Sequence, residues 1–147
     1  MNVPHDSHVL VADGRKLLFL RNAGDAAAPN LEVVRKREQD NPPTREQGTD
    51  QPGRAFASNG SGRNAYEQTD FHEIEEQRFA AEVADMLKRR ALANEFEKLI
   101  IIAPPSTLGE LRKHYHKEVQ ARITGELAKD LTGHPIDEIE RLLIAAE

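Results

Sequence analysis

"HVLVADGRKLLFLRN", residues 8–22, sets two apolar runs on either side of an Asp-Gly pair, and the reading of those runs decides the fold. Residues 9–12 and 17–20 are apolar without alternation. A strand with one wet face alternates apolar and polar side chains, so unbroken runs of this length point to strands covered on both faces. Asp13-Gly14 is a dipeptide favoured in tight hairpins because both residues tolerate positive φ. The stretch therefore predicts a β-hairpin, with strands over 8–12 and 16–21, inside a sheet flanked by helices.

Working outward, "LEVVRKREQ" begins apolar and ends in charge, the pattern of an edge strand that Lys and Arg protect from unwanted pairing. Residues 41–69 hold Pro42, Pro43, Gly48, Pro52, Gly53, Gly60 and Gly62 with no sustained apolar period, which predicts a long flexible loop. Asp70 and Glu73 offer an N-terminal cap, after which Phe79, Val83, Met86, Leu87, Ala93 and Phe96 recur at helical spacing, a helix over 70–94. "KLIIIAPP" is a short apolar run stopped by two prolines, as in a buried parallel strand. Thr107 and Glu110 suggest a capping box for a helix through "LGELRKHY". Val119, Ala121, Ile123 and Leu127 then alternate with polar residues as a half-buried strand does. Pro135 opens a last helix with Ile136, Ile139, Leu142 and Leu143 on one side. The order β-β-β-α-β-α-β-α is that of a ribonuclease-H-like α/β fold: a mixed five-stranded sheet, order 3-2-1-4-5, with helices on both faces.

The chain has 147 residues, which suits a single domain over 1–147. Its formal charge of -5 argues against wholesale attachment to nucleic acid or anionic lipid, so any nucleic-acid contact must be local. The absence of cysteine excludes disulfides, cysteine–zinc sites and thiol catalysis. No apolar run approaches membrane-spanning length, and the start lacks a basic region followed by a long apolar stretch. A cytoplasmic location without a membrane partner is the expectation.

A two-metal nuclease on this fold would need carboxylates at the ends of strands one and four. Asp13 follows the first strand, but the fourth ends in Ala103-Pro104-Pro105. Glu73, Glu75 and Glu76 are more simply explained as residues that oppose a helix dipole. Asp13 is thus first a turn residue and only second a metal ligand. His114 and His116 would share a face if extended and diverge in a helix; without cysteine or a clear third ligand they read as surface residues. Ser58, Ser61 and Ser106 lack a nucleophile-elbow context, and "NGSGRN" fits neither a Walker loop nor GxGxxG. The residues favour a binding domain over an enzyme and imply no cofactor and no metal. Within the loop, Arg45, Arg54 and Arg63 stand against Glu46 and Asp50, whereas Glu67, Asp70, Glu73, Glu75 and Glu76 follow without a base. Arginine among glycines lets a guanidinium and backbone amides approach phosphate together. That makes Arg54, Gly60, Gly62, Arg63 and Asn64 a candidate nucleic-acid contact, against the plain alternative of a solvated connector.

Five pieces, "VLVADGRKLLFL", "DNPPTREQGTDQPGRAFASNGSGRNAYE", "EEQRFAAEVADML", "LIIIAPPSTLGELR" and "AKDLTGHPIDEIERLL", run in order over nearly the whole chain and resemble the bacterial host attachment proteins. That family is similar to the middle domain of archaeal and eukaryotic peptide release factors. The resemblance implies one host-attachment-type domain, the ribonuclease-H-like fold, and a link to translation. In those factors a Gly-Gly-Gln tip between the third strand and the long helix serves peptidyl-tRNA hydrolysis. Gly60-Ser61-Gly62-Arg63-Asn64 stands there in this chain, so peptide release does not carry over. The leading expectation is a non-catalytic domain that meets a ribosome or tRNA through residues 53–64 and affects host attachment indirectly. The alternatives are an adaptor for a regulatory protein and a divergent metal-dependent hydrolase using Asp13.

Overall fold

The computed structural model describes residues 1–38 and 61–146, with side chains in the long helix from residue 73 onward. The strands are β1 (His8–Ala12), β2 (Lys16–Asn22), β3 (Leu31–Glu38), β4 (Leu99–Ile102) and β5 (Ile123–Leu127). The helices are α1 (Ser61–Leu92), α2 (Pro105–Arg112), α3 (Lys117–Gln120) and α4 (Ile136–Ala145). They build one sheet in the expected order, β3-β2-β1-β4-β5. β1 pairs antiparallel with β2 and β2 with β3, while β1–β4 and β4–β5 are parallel.

Every residue of β1 and β4 is buried, as the unbroken apolar runs require. Alternate side chains enter different cores. Leu10, Phe19 and Ile101 pack with Phe79, Val83 and Leu87 of α1, Leu108 and Leu111 of α2, and Val119 of α3. Val9, Val11, Ile100 and Ile102 face the other way, against Ile139 and Leu143 of α4 together with Leu131 and Leu31. Each such side chain contributes about 1.5–3 kcal/mol by leaving water. Helices therefore cover both faces, and the edge strand β3 keeps Val33 and Val34 largely exposed.

Several boundaries differ from the sequence reading. Helix α1 starts at Ser61 rather than Asp70, so 61–69 belongs to the helix; 41–60 lies outside the described residues. Its end comes at Leu92 because Asn94 takes a left-handed φ of 58°. Asn94 N–H donates to Ala91 O and Glu95 N–H to Arg90 O, a Schellman closure. Phe96, which matched the helical period, reaches the core from beyond the helix. α2 begins at Pro105 with Pro104 as its N-cap and no side-chain cap bond, so proline's fixed φ starts it and not a Thr107–Glu110 box. The expected strand from Val119 begins instead at Ile123; Val119 reaches the core from the short α3, whose N-cap is His116. Leu18 is only half-buried, so β2 is less fully covered than β1.

Candidate functional site

In open α/β sheets, ligands meet the protein outside the carboxyl ends of the parallel strands, where successive connections diverge. Here that edge is formed by the turn after β1, the prolines after β4 and the loop after β5. Asp13 directly follows β1 there. Its Oδ1 accepts from Arg15 N–H and Lys16 N–H, both at 2.7 Å, and its Oδ2 accepts from the Thr132 hydroxyl at 2.8 Å. The hairpin is thus closed by an Asx turn, with no positive φ at Asp13 or Gly14. A Cβ at Gly14 would lie 2.9 Å from the exposed Glu76 side chain of α1, which would have to swing aside.

Thr132 is the residue sequence reading missed. Its Oγ1 lies 2.8 Å from Asp13 and 2.9 Å from Asp130, yet a hydroxyl has one proton to donate, so two carboxylates compete for it. The only sequence hint was the Asp-x-Thr spacing, which predicts a local turn and says nothing about Asp13. Beside this latch, Glu73, Glu76 and Gln77 of α1 face Ser106, Thr107 and Glu110 of α2 across a crevice of about 90 Å³. Its charge is negative, unsuited to a phosphate. Among the described residues, no group of three or more His, Cys, Asp or Glu is arranged to hold a metal ion.

Of the predicted nucleic-acid contact, Arg54 and Gly60 lie outside the described residues. Gly62, Arg63 and Asn64 fall in the opening turn of α1. The first N–H groups of a helix have no partner within it and sit at the positive end of its dipole, so this turn offers backbone donors beside an arginine. The histidine pair separates: His116 Nδ1 accepts from Glu118 N–H at 3.0 Å to cap α3, and His114 is exposed. Ser106 lines the acidic crevice, Ser61 opens α1, and Ser58 lies outside the described residues.

Titratable groups inside the protein serve the fold. His8 is nearly buried among Phe19 and Phe96, with ring centroids 5.2 and 5.9 Å away, and burial holds its imidazole below the usual range. Its Nδ1 donates to Asp6 O at 3.1 Å. Burial pushes the Tyr115 phenol well above its usual range, with the Glu126 carboxylate adding to the shift. Neither residue opens onto the carboxyl-end crevice.

Comparison with known proteins gives two findings. Residues 6–143 match the family described as Bacterial archaeo-eukaryotic release factor family 12. A stretch of 79 residues is 35% identical to Uncharacterized protein RP470 of Rickettsia prowazekii (strain Madrid E), covering 52% of this chain and 53% of that protein. The aligned stretch thus spans about half the length of the curated relative.

Proposed function

The chain belongs to bacterial archaeo-eukaryotic release factor family 12, and from that premise we propose that it is a non-catalytic, single-domain binding protein that meets the ribosome or a tRNA through residues 53–64. The family match over 6–143 carries this reading, because it covers the sheet, the long helix and the connection between them. In release factors that connection bears the Gly-Gly-Gln tip. Here the sequence reads Gly60-Ser61-Gly62-Arg63-Asn64, which keeps glycine, replaces the glutamine, and adds a cation suited to phosphate. Contact without hydrolysis follows. An effect on host attachment would then be indirect, through expression, from a cytoplasmic protein; among the described residues no helix is long and apolar enough to cross a membrane.

An adaptor role has one observation in its favour: Ile74 is 53% exposed on an acidic stretch well inside α1, as a docking residue would be. A hydrolase built on Asp13 has none, since both carboxylate oxygens of Asp13 are engaged in the turn and the Thr132 latch. The test is co-sedimentation of the purified full chain with ribosomes, set beside the Arg54→Ala/Arg63→Ala variant. Binding by the parent that the variant loses, at an unchanged melting temperature, supports the proposal. Equal recovery of both in the ribosome pellet, or of neither, removes it in favour of the adaptor.

A further inference from the structure

Between the C-terminal half of α1 and the edge strand β3 lies an open groove of about 350 Å³. Leu17 and Met86 supply its apolar part. Arg35 and Arg37 enter it from β3, Arg89 and Arg90 from the last turns of α1, with Glu95 as the one carboxylate among the described residues of the lining. Each pair has a separate explanation in sequence: strand arginines protect an edge, and arginines near a helix end oppose its dipole. Neither explanation requires that they converge. Their convergence places four guanidinium groups around one concavity in a chain whose formal charge is -5.

We infer that this groove is a second RNA contact, one that takes the backbone phosphates of a single strand; it rests on the RNA reading proposed above. Arg35 and Arg37 pair with Phe19 and Leu17 on the α1 side of the sheet. Two residues apart on one face of a strand, they stand about 7 Å apart, a spacing comparable with that of successive phosphates. Planar guanidinium forks suit phosphate oxygens better than point charges do. Arg35 is exposed and has no ion pair among the described residues. Among the described residues Arg89 is paired only with Asp85 on its own helix, 3.1 Å away and exposed, an ion pair that a phosphate readily replaces. Arg37 and Arg90 are held more firmly: Arg37 lies 5.5 Å over Phe79 and bonds Glu82, while Arg90 lies 5.2 Å over Phe19 and bonds Glu95. Two guanidiniums are therefore pre-positioned by the fold and two remain available. From Arg63 to Arg89 is about 39 Å along α1 at ~1.5 Å rise per residue, so loop and groove can be perturbed separately.

Arg35→Ala/Arg89→Ala removes the two available groups and leaves the packed ones in place. Binding of the full chain to a labelled single-stranded RNA oligonucleotide is measured by fluorescence anisotropy across a salt series. The expected result is an affinity loss of about tenfold or more, with the log–log salt slope shallower by about 1.4, or ~0.7 for each phosphate no longer neutralised. The melting temperature should stay near the parent's, and Arg35→Lys/Arg89→Lys should restore most of the slope. Inorganic phosphate should weaken RNA binding of the parent more than that of the alanine variant. Parent-like affinity and slope in the alanine variant, while Arg54→Ala/Arg63→Ala binds less well, would overturn the groove and leave the loop proposal standing. A parent that binds no RNA defeats both. Displacement of the RNA by polyglutamate as effectively as by unlabelled RNA would show an acidic-peptide site instead.

Discussion

Asn22 is fully buried at the end of β2, and its amide holds three segments together. Nδ2 donates to Val3 O at 2.9 Å, while Oδ1 accepts from Gly24 N–H and Asn30 N–H, each at 2.9 Å. In Asn22→Leu the Val3 carbonyl stays buried without this donor, at about 1–3 kcal/mol for an unsatisfied buried group, while the part-buried Gly24 and Asn30 amides lose their acceptor at a smaller cost. Denaturant unfolding should show a loss on the order of 2 kcal/mol; a midpoint equal to the parent's would contradict the network. The sequence hints only at the local Asx-type contact with Gly24, because Val3 and Asn30 lie 19 and 8 residues away and meet Asn22 through the fold. His8 gives a second residue-scale prediction. Its folded pKa is lowered from the ordinary 6.5, so between the two values the unfolded chain binds more protons than the folded one. The contribution is fully present above pH 6.5 and is lost as pH falls from there through the lowered folded value. Asp6 opposes the shift, and Arg21 and Arg90 reinforce it. Thermal melts of parent and His8→Leu from pH 5 to 7.5 should diverge in slope, the parent losing more stability on acidification. Parallel curves would mean that His8 is not the group titrating.

At the scale of elements, the runs at 9–12 and 99–102 were legible because a strand buried on both faces has no polar positions, and the structure buries all of them. Termini were less legible. Ser61 as the start of α1 lacks a strong local signal: Gly62 disfavours a helix interior, and the acidic residues at 70–76 mimic a first turn although they lie well inside the helix. Val119 and Ala121 imitate strand alternation over a stretch too short to separate a period of 2 from one of 3.6. The contrast between covered and half-covered strands can be tested. Ile101→Asp places a carboxylate in a fully buried position of β4 and should abolish cooperative unfolding, whereas Leu18→Asp, half-buried and near the edge, should retain a transition at lower temperature. Equal melting temperatures for the two variants would refute this ranking of the strands.

For the whole molecule, the sheet order followed from the order of elements, since right-handed crossovers and short connections leave few ways to add two parallel strands to a three-stranded meander. The site was only partly legible. Residues 61–64 gain meaning from being the first turn of a helix, and the four groove arginines come from segments that no linear reading joins. The carboxyl-end crevice, by contrast, is acidic and suits no phosphate. The proposed nucleic-acid contact is therefore local, on a chain that is acidic overall. It is tested most directly by measuring the affinity of the full chain for tRNA across a salt series, for the parent and for Arg54→Ala/Arg63→Ala. The parent should bind measurably at low salt and less as salt rises, and the variant should show lower affinity and a shallower salt dependence at an unchanged melting temperature. A parent that fails to bind at low salt, or a variant that binds as the parent does, contradicts it.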